Sequence, residues 1–88
     1  MKFKEGFVLR EIAGEKIVTA EGLENINFNK LLSLNSTAAF LWEKLYGTEF
    51  ETDTVADLLV ENYGIDRELA EHDAKSICDS WRSAGVLI

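Results

Sequence analysis

The hydrophobic pattern of this chain changes period once, at Asn35-Ser36-Thr37 within "SLNSTAAFLWEKLYG". Before that triplet apolar residues tend to alternate, as in half-buried strands; after it they recur every three or four residues, as in amphipathic helices. The strands therefore precede the helices. That order predicts an α+β fold, a three-stranded antiparallel sheet followed by a three-helix bundle, with one sheet face covered by helices made later in the chain.

In "FVLREIAGEKIVTA" β-branched and aromatic residues flank Ala13-Gly14, and glycine there suits the left-handed position of a tight hairpin or a G1 bulge. Strands are expected near Phe7 to Ile12 and Glu15 to Ala20. "EGLENIN" reads as a polar connection. "FNKLLSLN" then reads as a third strand, with Phe28, Lys30, Leu32 and Leu34 on one face and Leu31 and Ser33 on the other.

The helices carry their own punctuation. Asn35 or Ser36 is expected to cap the first and Gly47 to end it; Ala38, Leu41, Trp42 and Leu45 share its core face with Tyr46 at the edge, while Phe40 points away. The second runs from about Asp53 to Tyr63, with Thr52 as cap, Val55, Leu58, Leu59 and Tyr63 as its buried stripe, and Gly64 as its stop. The third starts at Asp66, its expected cap, with Ile65 and Ala70 placed for a hydrophobic staple, and ends at Gly85. Its apolar arc is Ala70, Ala74, Ile77, Trp81 and Ala84, flanked by Leu69 and Cys78.

Eighty-eight residues imply one domain, residues 1 to 88, because a chain this short buries only roughly 60 to 65% of its unfolded surface in one modest core. A single cysteine excludes an internal disulfide, no signal-peptide pattern opens the chain, and no apolar run approaches the ~20 residues of a membrane span. A cytoplasmic protein without a membrane partner is expected. The formal charge of −7 resides in the second part of the chain: residues 1 to 35 carry five basic and five acidic side chains, residues 36 to 88 four and eleven. Such a surface repels phosphate, so nucleic acid is not an expected partner.

Nothing in the sequence assembles a reaction centre. His72 and Cys78 are six apart on a helix, on different faces, and there is no phosphate loop, CxxC motif or serine-histidine-acid constellation. No catalytic residue, metal ligand or cofactor is assigned. Arg67, Lys75 and Arg82 form a basic stripe beside Cys78; it either attracts acidic peptide residues or consists of ordinary solvated pairs, Arg67 with Glu71 and Lys75 with Asp79. Asp73 is a carboxylate inside the apolar arc, either facing a partner or lying at the arc's edge.

The succession "FVLREIAGEKIV", "SLNSTAAFLWEKL", "TVADLLVENYGID" and "WRSAGVLI" resembles the PqqD-like peptide chaperones over nearly the whole chain, most specifically in "LNSTAAFLWEKL". The resemblance implies a winged-helix-like domain that binds the leader segment of a ribosomally made precursor peptide and delivers it to a modifying enzyme, a radical S-adenosylmethionine enzyme or a peptidase. It further implies that the leader adds as a strand along the third strand, Phe28, Lys30, Leu31, Leu32, Ser33 and Leu34. The third helix then walls the cleft, with Ala74, Lys75, Ile77, Cys78, Trp81 and Arg82 as candidate contacts. On spacing alone Trp81 is a core residue.

Two other readings stand beside it. An accessory subunit could dock on an enzyme through Phe40 and the acidic helices without binding a leader. A DNA-binding winged helix would want a basic recognition helix, whereas Asp66 to Ala84 holds five acids against three bases.

Overall fold

The computed structural model describes residues 1–20 and 32–88. Strand β1 (Phe7–Ile12) pairs antiparallel with β2 (Glu15–Ala20), in a register that sets Ile12 against Glu15 and leaves Ala13-Gly14 as a two-residue loop. Both loop residues have positive φ, 53° and 82°, which is what a type I′ hairpin demands. The glycine meets this at no steric cost, and Ala13 accepts a left-handed conformation that is costly for a side chain.

The described part of the third strand is β3 (Leu32–Leu34), which pairs antiparallel with β2 through Leu34 to Lys16, Ser33 to Ile17 and Leu32 to Val18. Residues 28 to 31 of the expected strand lie outside the described residues. Within β3 the alternation holds. Leu34 is buried, Leu32 packs partly against the core, and Ser33 is exposed. The sheet order is β1-β2-β3.

Helix α1 (Ser36–Leu45) begins directly after β3, and Asn35 caps it by accepting the Ala38 N–H on Oδ1 at 2.8 Å. Gly47 does not cap the helix as expected. The helix stops at Leu45, and Tyr46 (φ −60°, ψ 130°) and Gly47 (φ 83°) form a type II turn closed by the Thr48 N–H on the Leu45 carbonyl at 3.1 Å. The buried face is Ala39, Leu41, Trp42 and Leu45; Ala38 is only half-buried. Phe40 is not turned away from the fold either, since its ring is met edge-on by Tyr63 at 5.8 Å and covered by the Lys44 ammonium at 5.7 Å.

Helix α2 (Thr52–Tyr63) takes Glu51 rather than Thr52 as its N-cap residue, and the Glu51 N–H donates to Thr54 Oγ1 at 3.1 Å. Its buried residues are Val55, Ala56 and Leu59. Tyr63, expected in the buried stripe, is 45% exposed because its ring leans out to meet Phe40. Gly64 ends the helix at φ 63°, as expected.

Helix α3 (Arg67–Ala84) starts after Asp66, whose side chain makes no capping bond, and ends at left-handed Gly85. It buries Ala70, Ala74, Cys78 and Trp81, small residues that let it lie close to the other elements and one large residue that anchors it. Compared with the expected arc the helix is rolled by about 40°, taking Cys78 into the core and lifting Ile77 and Ala84 partly out.

An aromatic cluster joins these elements. Phe3 stacks on Trp42 with ring centroids 3.9 Å apart and is met edge-on by Trp81 at 4.9 Å, with Phe50 at 5.2 Å. Phe3 is held there by a bridge to Leu87, flanked by the Lys4 N–H on the Val86 carbonyl and the Ile88 N–H on the Lys2 carbonyl, both 2.8 Å. Phe3, Phe50, Val86 and Leu87 are buried. No helix among the described residues is long and apolar enough to cross a membrane.

Candidate functional site

Because β3 pairs with β2 on one side, its other edge has no described strand beside it. The edge of a sheet presents backbone N–H and C=O groups that an added strand can satisfy. Beside this one lies a cleft of about 270 Å³, walled by Leu32, Ser33, Leu34, Asn35 and Ala38 on one side and by Ser76, Ile77, Ser80 and Trp81 of α3 on the other. The abrupt turn at Asn35 makes this possible, since one residue ends the strand, caps α1 and lines the cleft.

Of the residues expected here, Leu32, Ser33, Leu34, Ile77 and Trp81 line the cleft together. Trp81 is a core residue, 1% exposed, as its spacing predicts, and it also lines the cleft. Phe28, Lys30 and Leu31 lie outside the described residues. Ala74 and Cys78 do not reach the cleft, because the roll of α3 buries them against the rest of the core. Lys75 and Arg82 do not reach it either: at 3.6 residues per turn they lie about 160° to 180° round the helix from Asp73, on the side away from β3.

The basic stripe is largely engaged on that far side. Arg67 donates to Asp57 and, at 3.1 Å, to Glu71; Arg82 donates to Asp79 at 3.1 Å and approaches Met1 Sδ at 3.5 Å. Asp79, the expected partner of Lys75, is thus held by Arg82. Sequence reasoning missed Asn35, Ala38, Ser76 and Ser80 as lining residues. The signal for Ser76 and Ser80 was the polar flank of the α3 arc, where they recur with Asp73 at three- and four-residue spacing.

The cleft continues past Asn35. A second cavity of about 270 Å³ is lined by Asn35, Thr37, Leu59, Asp73, Ser76 and Ile77, sharing three of these with the first. At the other sheet edge a groove of about 340 Å³ is lined by Phe7, Val8, Leu9, Trp42, Glu43 and Tyr46.

Cys78, 1% exposed, is chemically quiet: burial pushes its thiol up, opposed by a hydrogen bond with Thr52 and the charge of Arg82. A protonated, enclosed sulfur is a poor nucleophile. Alkylation followed by mass spectrometry is expected to leave Cys78 unmodified in native buffer and to label it fully in denaturant. Equal labelling in both would put the thiol at the surface.

These features can be set beside known proteins. The solved structure of TbiB1 in complex with the TbiA(beta) leader peptide superposes with a TM-score of 0.74 at 18% identity, covering 99% of this chain and 94% of that one, which shows a shared fold. A comparison with curated proteins finds no match. The sequence profile described as coenzyme PQQ synthesis protein D (PqqD) matches residues 15–87, from β2 through the last residue of the Phe3–Leu87 bridge, and the chain belongs to the PqqD family.

Proposed function

We propose that this protein is a non-catalytic peptide chaperone, which binds the leader of a ribosomally made precursor by strand addition to β3 and presents it to a modifying enzyme. The observation that carries this reading is the coincidence of a β3 edge with no described strand beside it and a cleft along the same edge. Backbone hydrogen bonds to an added strand contribute ~0.5 to 1.5 kcal/mol each whatever the peptide's sequence, and alternate side chains entering the cleft supply selectivity. Family membership and the leader-bound TbiB1 structure support it. The enzyme class suggested by the resemblance is a radical S-adenosylmethionine enzyme or a peptidase.

The test is a titration of isotopically labelled protein with the leader of a precursor encoded beside this gene. A dissociation constant of about micromolar or tighter, near −8 kcal/mol, is expected, with amide shifts concentrated in residues 32 to 38 and 73 to 81. Shifts confined to the β1–β2 hairpin would move the site elsewhere. A second reading, docking on an enzyme without a leader, is favoured by the β1 groove; it predicts a silent titration and binding to the enzyme that Tyr46→Ala weakens.

A further inference from the structure

We propose that Asp73 is a specificity-determining residue of the groove, taking a lysine or arginine side chain of the bound peptide. This rests on the strand-addition reading and adds the charge class of the peptide to it. At 3.6 residues per turn Asp73, Ser76, Ile77 and Ser80 form one strip along α3, so the carboxylate belongs to the cleft wall rather than to the solvent side of the helix. It lines the cavity that continues the cleft through Asn35, Ser76 and Ile77.

The surroundings suit a long cationic side chain. Half-buried Ile77, with the buried Leu59 behind it, offers apolar surface for an aliphatic stem, and the Asp73 carboxylate, 46% exposed, with the Thr37 hydroxyl stands where its charged end would emerge. Among the described residues no lysine or arginine lines either cavity. The neighbour of Asp73 is His72, whose Nδ1 lies 3.7 Å away on a solvent-exposed ring and contributes charge only when protonated. A third cavity, at the hairpin tip, does contain Lys16, but beside Glu15, and Lys16 is paired with Glu11 at 3.6 Å. Among the described residues the groove is therefore electrostatically the reverse of what the basic stripe suggested: an acidic peptide residue at this end would face a like charge, and a basic one a partner.

The experiment is selection of short random peptides by display on the full chain and on Asp73→Asn and Asp73→Lys, with circular dichroism confirming that all three are folded. Wild-type binders are expected to share a basic residue at a fixed spacing from an apolar one. That preference should vanish with Asp73→Asn and become a preference for Asp or Glu with Asp73→Lys. Replacing the basic residue of a selected peptide by glutamine should weaken wild-type binding about three- to tenfold and leave Asp73→Asn binding unchanged. Binders that shift amides of residues 32 to 38 and 73 to 81 but show no basic preference, or the same preference in all three proteins, overturn the role of Asp73 and leave strand addition standing. Binders that shift only amides elsewhere overturn strand addition and this inference with it.

Discussion

Trp42→Ala is expected to remove most of the folding stability of the chain. Trp42 is 2% exposed, stacked on Phe3 and met by Trp81 at 6.3 Å in an edge-on arrangement. Removing a buried aromatic costs about 3 to 5 kcal/mol, and the stability of a small domain is itself only ~5 to 15 kcal/mol, toward the low end at this length. The loss also removes a stacking partner from Phe3, which joins residues 1 to 4 to residues 86 to 88. Phe40→Ala offers the contrast. Its ring is only half-buried, at the edge of the core against Tyr63 and under Lys44, so about 1 to 3 kcal/mol should be lost and the thermal transition should remain cooperative. Paired thermal and urea melts decide this, and equal destabilisation by the two changes would show that the aromatic cluster is not centred on Trp42.

Ile77→Asp is expected to lower leader affinity at least a hundredfold, about 2.7 kcal/mol, while the chain stays folded. Ile77 is half-buried on the α3 wall, opposite Leu32 and Leu34. A carboxylate there would be desolvated by an incoming strand without a partner, a cost of several kcal/mol borne by the complex and hardly by the free protein, where water still reaches the side chain. Lys75→Ala, on the far side of the same helix, should leave affinity within about twofold, because an exposed charge that does not touch the peptide contributes little. Calorimetric titration of both variants makes the comparison. Normal binding by Ile77→Asp would remove the leader from the β3–α3 cleft.

What local chemistry decides was legible in the residues themselves. The order of strands before helices, the Ala13-Gly14 hairpin, the Asn35 cap and the glycine stops at Gly64 and Gly85 depend on side chains within a few positions of the backbone they serve. The alternation of Leu32, Ser33 and Leu34 was legible for the same reason, since a strand's two faces follow from its pleat. Tertiary structure alone decided which residues far apart in the chain meet. Phe3, Phe50, Val86 and Leu87 sit in short stretches without periodicity, and their burial goes with the pairing of residues 1 to 4 with residues 86 to 88 and of Phe50 with Met1. It also decided the roll of α3. An amphipathic wheel locates the middle of an apolar arc but not which neighbour covers each flank, and a turn of about 40° moves Cys78 from the edge into the core. Which flank of α3 lies along β3 was a tertiary matter too: Ser76, Ile77 and Ser80 line that cleft and Asp73 its continuation, while Lys75 and Arg82 lie about 160° to 180° round the helix from Asp73, because a helix has two flanks and only its packing on the rest of the core selects the one turned to the sheet.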